Sequence, residues 1–492
     1  MHRAKTKTTK NHIIPILIYS FPNATTAVPL LQKTPQAVVF RYSRVLGASG
    51  VGVYSYTNSI ANYFILFGNL GLVTYGQMAI AKVRDDEKAV TKTFFELWIL
   101  RFLAVSVSLV IYFVVAFSSK NYSQPLIYSS ILVFASVFDF SWLFRGIEDF
   151  SKVVIRNLIV KLLCVILIFC LVRSADDLNI YILLVSLSTL LGNLTYFYSI
   201  RSVIKHVEIK GLNILQHFKP CMVYFIPTIA TSVYKLLDKF MLGYILQETT
   251  QNGYYEQAHK IEQILIVTVT SLNTIMRSRM TFLYKEGKLN QMHQYLEQSI
   301  SYILMISIPM TCGLVVVAPN FIPLFLGDGF EESIILLQIF AFLIIIIGLS
   351  NCLNTHFLAP SGRQGKNNVV LIFGAIINFS CNLLLIPKYK AIGAATASVF
   401  AETLILVGYL HLSNDFIRFR RILKLGWKYL IAGICMGIIV WMISRMNLSP
   451  IPLIFCQICS GIISYFGILL VFRDRFLLNA VRATCRKFLH TK

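Results

Sequence analysis

Apolar stretches long enough to cross a bilayer recur along the whole of this 492-residue chain, and no other feature constrains its fold so strongly. A helix needs roughly 20 apolar residues to span about 30 Å of hydrocarbon. Such stretches lie near 13–39, 51–71, 94–117, 125–144, 154–172, 178–200, 221–246, 257–276, 299–318, 333–358, 368–386, 392–412, 427–443 and 451–472. Backbone inside lipid must satisfy its own hydrogen bonds, so runs of this kind are helices. The expectation is an all-α, polytopic integral membrane protein with about fourteen transmembrane helices. Composition agrees: 14% of residues are charged, against about 25% in ordinary globular chains.

The net charge of +23 raises the question of nucleic acid, and the placement of the bases answers it. Of 45 Lys and Arg, 32 fall in the N-terminal tail and every second connection after it, 7 fall in the intervening connections, and the rest are within or at the edge of spans. By the positive-inside rule both termini are cytoplasmic. The basic excess, including Arg418, Arg420, Arg421 and Lys424, then reads as topology and contact with anionic lipid headgroups, with no nucleic-acid partner. The ten cysteines form no framework, and Cys456 and Cys459 lack the further ligands that zinc requires, so neither a metal nor a cofactor is expected. The tail MHRAKTKTTK runs into a segment without a small-residue cleavage pattern, so a cleaved signal peptide is not expected.

No connection is long enough to fold as a separate domain. The chain does read as internally doubled. Leu46-Gly47 matches Leu242-Gly243, and after a longer insert in the second copy Gly52, Tyr54 and Ile60 fall opposite Gly253, Tyr255 and Ile261. Later in each half Gly146 and Gly362 open a basic loop. Six helices, six more and two extra follow: residues 1–212, 213–415 and 416–492. Parallel repeats of this kind place a substrate path between the halves.

Charge inside the spans is the sharpest functional signal. Lys235, Asp238 and Lys239 are spaced i, i+3, i+4 and share one helix face with Thr228 and Thr231. Asp238 sits roughly 9 Å below the outer end near Tyr244, too deep for a short carboxylate to snorkel. Each such charge costs about 2.5–3.5 kcal/mol at a helix centre facing lipid, so the stripe faces protein or water. An internal ion pair that only fixes packing is the plainer alternative, but one aspartate cannot neutralise two lysines. Ser55, Asn58, Ser59 and Asn62 stripe the second span, and Glu256, Lys260 and Gln263 the eighth. Arg101 and Lys161 lie inside spans three and five; Asp139, Glu262 and Glu402 are the main acids. The interior is wet and net basic, which suits an anionic substrate.

Other features carry less. His259 and His356 are lone histidines near span ends, Gly47, Gly50 and Gly52 lack the Lys and Ser/Thr of a phosphate loop, and Asn23 begins a chance-frequency sequon. Trp98, Trp142, Trp427 and Trp441 read as interface anchors. No nucleophile–base pair stands out.

The motifs YSRVLGASGVGVYSYTNSIANYF, IAKVRDDEKAVTKTFFEL, PTIATSVYKLLDKFMLGYI, NGYYEQAHKI, FLGDGFEESIILLQIFAF and SGRQGKNNVVLIFGAIINFSCNLLLIPKYKAIGAATASV follow one another over roughly residues 40–412. In that order they resemble Wzx-type polysaccharide repeat-unit flippases of the multidrug/oligosaccharidyl-lipid/polysaccharide exporter superfamily. The resemblance implies two six-helix lobes, and movement of an undecaprenyl-diphosphate-linked oligosaccharide from the cytoplasmic to the outer leaflet of a bacterial inner membrane for O-antigen or capsule synthesis. Membrane lipids, a polysaccharide polymerase and chain-length machinery are the implied partners. It implies a cationic lumen into which Arg44, Arg101, Lys161, Lys235, Lys239 and Lys260 fit. One departure is the first span, where Pro15, Pro22, Pro29, Lys33 and Pro35 interrupt what is usually a clean apolar run.

The expected mechanism is rocking of residues 1–212 against 213–415. The bases hold the diphosphate, Asp238 orients or releases a lysine, and Asn58, Asn62 and Gln263 hydrogen-bond sugar hydroxyls. A drug exporter of the same superfamily calls for an acidic interior instead. A lipid-linked peptidoglycan precursor flippase differs mainly in cargo. A membrane polymerase or glycosyltransferase calls for large loops and paired carboxylates, and a structural scaffold has no use for charged stripes.

Overall fold

A computed structural model of the chain describes residues 36–149, 151–204, 211–474 and 476–479. The prolines of the first span and the Asn23 sequon lie outside those residues. Fifteen α-helices and no strand occupy the described chain: α1 Gln36–Asn69, α2 Leu72–Val83, α3 Glu87–Ser118, α4 Ser123–Ala135, α5 Ser141–Gly146, α6 Ser151–Leu171, α7 Leu178–Leu194, α8 Tyr196–Ile200, α9 Phe218–Leu246, α10 Thr250–Lys285, α11 Leu289–Leu326, α12 Glu332–Leu353, α13 Gln364–Leu412, α14 Phe419–Ile443 and α15 Pro450–Val471. Local signals set many of the boundaries. The Asp86 carboxylate accepts from the Lys88 and Ala89 amides to start α3, and Pro450 opens α15, where its missing N–H is no loss.

Among the described residues nine helices are long and apolar enough to cross a membrane, against the fourteen expected. The first expected span lies mostly before residue 36. The side chains of α6 are described only from Ile159, so Ile159–Leu171 is the part of it that enters this count. α10 carries a polar stripe that lowers its hydropathy, and several side chains in the middle of α9 lie outside the described residues. Two expected spans, 368–386 and 392–412, form the single element α13, which turns at Lys390 (φ 49°, ψ −129°). Its arms run antiparallel: Gly374 packs on Ile405, Gly408 on Val370, and Gly393 against the Leu385 carbonyl. The ends are joined where Arg363 donates to the Leu412 carbonyl (2.6 Å) and pairs with Asp415.

Where apolar side chains collect shows how the halves meet. At the end where α1 bends, one core draws on both: Tyr42, Val51 and Tyr181 pack with Leu242, Tyr255, Leu326 and Ala394. At the end rich in Lys and Arg the cores are separate, one around Phe94, Trp142, Phe144 and Tyr196 and the other around Met280, Leu296, Tyr409 and Tyr429. The α1–α9 seam runs from Tyr56 on Gly243 towards Gly71 on Phe225, and α2 and α3 also meet the second half where Tyr75 and Glu96 bond to His217. Among the described residues α14 and α15 pack on the second half; Gly433 lies on Ile308, and the Tyr465 hydroxyl donates to the Met305 carbonyl (2.8 Å).

Trp142 is a correction to the sequence reading. It is fully buried against Gly76 and anchors no interface. Trp427 and Trp441 are about half exposed, as an anchor requires.

Candidate functional site

The site is built where α1 crosses α9 and α10. Gly47 (φ 64°, ψ 179°) breaks α1, so that Tyr42 and Tyr54, twelve residues apart, both face the same ammonium of Lys260 (4.9 and 5.8 Å to the ring centroids). Beyond the bend α1 meets α10 at Gly52 and Gly253. A Cβ on Gly52 would stand 1.7 Å from the Thr249 carbonyl oxygen, and one on Gly253 would stand 1.9 Å from that of Ala48. Only glycine permits so close an approach of two backbones.

One turn further in, Ser55 Oγ donates to Glu256 Oε2 (2.9 Å). Glu256 is the hub of the charged cluster. Lys239 Nζ lies 2.6 Å from Oε2 and Lys260 Nζ 3.0 Å from Oε1. Lys260 also donates to the Tyr42 hydroxyl (2.5 Å), which accepts from Gln257 as well (2.8 Å). Tyr42 stacks on Tyr181 (4.9 Å between centroids). The carboxylate is buried, while Lys239 and Lys260 keep side-chain exposures of 17% and 29%. The cluster therefore carries one excess positive charge. An ammonium has three donors, so these contacts leave Lys239 two N–H groups and Lys260 one for a further anion.

Asp238 belongs to a different network. Its carboxylate accepts from the hydroxyls of Tyr255 (2.5 Å) and Ser398 (2.5 Å) and from Asn382 Nδ2 (2.6 Å). Asn382 in turn donates to Asn378 (3.2 Å). Both arms of α13 are thus tied to α9 and α10. Asp238 and Lys239 are neighbours in sequence, but the ion partner of Lys239 is Glu256.

The other expected site residues are dispersed. Arg101 is buried, with its guanidinium donating to the Asp139 carbonyl (2.7 Å) and Asn69 Oδ1 (2.6 Å), which places it inside the first half rather than in a lumen. Arg44 donates to the Leu324 carbonyl (2.5 Å) beside Gly327, at the rim where the halves share a core. Lys161 is half-buried on α6, and Asn58 and Asn62 are half-buried on α1, where Asn62 donates to the Asn58 carbonyl (2.7 Å). Gln263 is exposed and bonded to His259 (3.0 Å). Lys235 falls on α9, but its side chain lies outside the described residues.

Sequence reasoning grouped Glu256 with Lys260 without seeing it as the hub, and it did not single out Tyr42, Asn378, Asn382 or Ser398. Asn378 and Asn382 had a readable signal, two amides at i, i+4 in an apolar run. Tyr42 had none, since its role depends on the bend at Gly47.

The sequence matches the family described as polysaccharide biosynthesis protein over residues 24–276, half of the chain, and the lipid II flippase MurJ family over residues 159–458. A "Putative O-antigen transporter" of Shigella dysenteriae is 26% identical over 70% of this chain and 86% of its own length. A protein of the same description from Escherichia coli (strain K12) is 20% identical over 74% and 88%. The fold is similar to that of a lipid II flippase MurJ structure titled as the inward closed conformation, with a TM-score of 0.72 at 16% identity, covering 93% of this chain and 99% of that one. With its described chain all-helical and apolar helices throughout, this is a non-enzymatic membrane transporter, and it belongs to the polysaccharide biosynthesis protein family of Wzx-type flippases in the multidrug/oligosaccharidyl-lipid/polysaccharide exporter superfamily.

Proposed function

We propose that this flippase moves undecaprenyl-diphosphate-linked oligosaccharide repeat units from the cytoplasmic to the outer leaflet of the bacterial inner membrane, by rocking residues 1–212 against 213–415 with both termini cytoplasmic. One observation carries the reading: the Lys239–Glu256–Lys260 cluster has an excess positive charge and unspent N–H donors where the two halves meet. A diphosphate arriving there competes with Glu256 for both ammonium groups. Buried, partly desolvated cations hold an anion more strongly than surface lysines do. Ser55 and Tyr42 come from the first half, and Glu256 and Lys260 from the second, so parting of the halves breaks the contacts that organise the cluster. Binding and movement are thereby coupled. Lys161 adds to the basic lining, and Asn58, Asn62 and Gln263 meet sugar hydroxyls. A polymerase on the outer face then consumes the product.

The test is leaflet distribution of the lipid-linked oligosaccharide in cells depleted of the protein, complemented with wild type or with Lys239→Ala/Lys260→Ala. Accumulation on the cytoplasmic face, reversed by wild type and not by an equally abundant double variant, is the expected result. Wild-type surface glycan in that variant sinks the proposal. The MurJ family match over residues 159–458 favours a second cargo, a lipid-linked peptidoglycan precursor. The same cells decide between them, because the lipid that accumulates carries either the repeat unit or the precursor.

A further inference from the structure

A second basic site stands apart from the lobe junction, at the Lys- and Arg-rich end of the second half. There a cavity of about 530 Å³ opens between the starts of α11 and α14 and the residues after α15. Lys424 and Lys428, one turn apart on α14, line it together with Arg473. Two carboxylates also face it. Glu297 is neutralised by Arg421, which donates through Nε (2.5 Å) and Nη2 (2.9 Å). Asp474 is buried, accepts the Leu477 amide (2.9 Å) and faces the Tyr429 hydroxyl (3.4 Å). Three cations therefore meet one unneutralised carboxylate, and the cavity is cationic.

Arg473 sits where a side chain is unfavourable. α15 ends in a pair of reversing bonds, Asp474 N–H to the Leu469 carbonyl (3.1 Å) and Arg473 N–H to that of Leu470 (3.0 Å). This termination places its left-handed residue at the position where glycine is usual, and here that residue is Arg473 (φ 47°). An arginine held in the left-handed region costs stability that glycine would not. The chain carries a guanidinium into the cavity at that cost.

The mouth lies at the level of a membrane surface. Trp427 is half exposed and packs on Phe472 (5.8 Å between centroids), and Phe419, Leu423 and Leu430 expose apolar surface beside it. Exposed tryptophan next to such a face marks the headgroup region. Basic pockets between transmembrane helices recognise lipid phosphates. We propose that this cavity binds the phosphate headgroup of an anionic phospholipid, with Lys424, Lys428 and Arg473 as its clamp, joining the α14–α15 hairpin to the second half. The site is independent of the cargo at the lobe junction.

The experiment titrates phosphatidylglycerol into the full-length protein in detergent and reads the unfolding midpoint, with phosphatidylcholine of the same chains and millimolar inorganic phosphate as separate arms. Phosphatidylglycerol should raise the wild-type midpoint, and the other two should not. Each cation removed should weaken the apparent affinity about fivefold. Arg473→Gly is the informative variant, because its lipid-free midpoint should equal or exceed that of wild type while its response to phosphatidylglycerol falls. Lys424→Gln, at an exposed position, should lose response without any change in the lipid-free midpoint. An unchanged response in the Arg473→Gly/Lys424→Gln double variant overturns the proposal. An equal wild-type response to phosphatidylcholine overturns the headgroup chemistry, and an equal response to inorganic phosphate overturns the lipid source.

Discussion

Gly52 and Gly253 make one reciprocal contact: each presses on the carbonyl of the residue four positions before the other, Thr249 and Ala48. The contact is isologous, as between the two subunits of a symmetric dimer. Ser55 and Glu256 are equivalent at the same offset and hydrogen-bond to each other. α1 and α10 thus close on each other at one end of the protein.

From this reciprocity comes a prediction about additivity. Gly52→Ala or Gly253→Ala forces the same two backbones apart, at about 1–3 kcal/mol for an overpacked contact. Once one alanine has separated them, the second meets less resistance. The double variant should cost close to one single variant, whereas independent sites add. Unfolding midpoints of the two singles and the double decide it, and full additivity rules out a shared contact.

Gly52, Tyr54 and Ile60 match Gly253, Tyr255 and Ile261 at one offset in the sequence, and the reciprocal contact between α1 and α10 has the same offset. Leu242-Gly243 was a false match. Gly243 stays inside α9 and makes room for the Tyr56 ring, while the left-handed break corresponding to Gly47 (φ 64°) falls at Gln247 (φ 54°). A dipeptide identity says little about where a helix ends. The striped charges of α9 and α10 were legible because helical spacing puts them on one face. Their partners were not. Lys239 pairs with a carboxylate seventeen residues on rather than with its neighbour Asp238, and Arg101 turns inward to a carbonyl of the segment after α4. Periodicity gives a face; only the packing of several helices says what that face meets.

Glu256 offers a charge-balance test. Removing a single partner from a buried ion pair costs about 3–5 kcal/mol, because an uncompensated charge remains. Glu256→Gln leaves Lys239 and Lys260 facing each other across the site, and its midpoint should fall well below that of wild type. Adding Lys260→Gln removes one of the repelling charges and should recover part of the loss. A double variant less stable than Glu256→Gln contradicts the hub arrangement.

Acid should reveal the clasp at the base of α13. Hydrogen bonds from Arg363 hold the Asp415 carboxyl below its ordinary range. A lowered pKa in the folded state contributes stability above the unfolded carboxylate value, and that contribution is lost as pH falls through the lowered one. Asp415 is exposed and Arg363 half-buried near the surface, so the pair is worth under about 1 kcal/mol. The wild type should exceed Asp415→Asn by a small constant margin from neutral pH down to about 5, and the margin should close as the pH falls below about 4. A margin that widens in acid has the wrong sign for this clasp.

Asp238 is held by three neutral donors, and that chemistry sets how each substitution fails. The Tyr255 and Ser398 hydroxyls and the Asn382 amide all point hydrogens at one buried carboxylate. Hydrogen bonds to a charged acceptor are worth about 1.5–3 kcal/mol each, and their loss strands donors away from water. Asp238→Ala removes the acceptor from all three. Asp238→Asn keeps one carbonyl oxygen, and its new N–H groups can be met by hydroxyls, which rotate to accept, but not by the Asn382 amide hydrogens. Asparagine should therefore destabilise less than alanine. Ser398→Ala should cost less in the Asp238→Ala background than in wild type, because its acceptor is already gone. Unfolding midpoints of these variants in detergent measure both differences. Equal costs for Ser398→Ala in the two backgrounds would show that the serine is held by something other than Asp238.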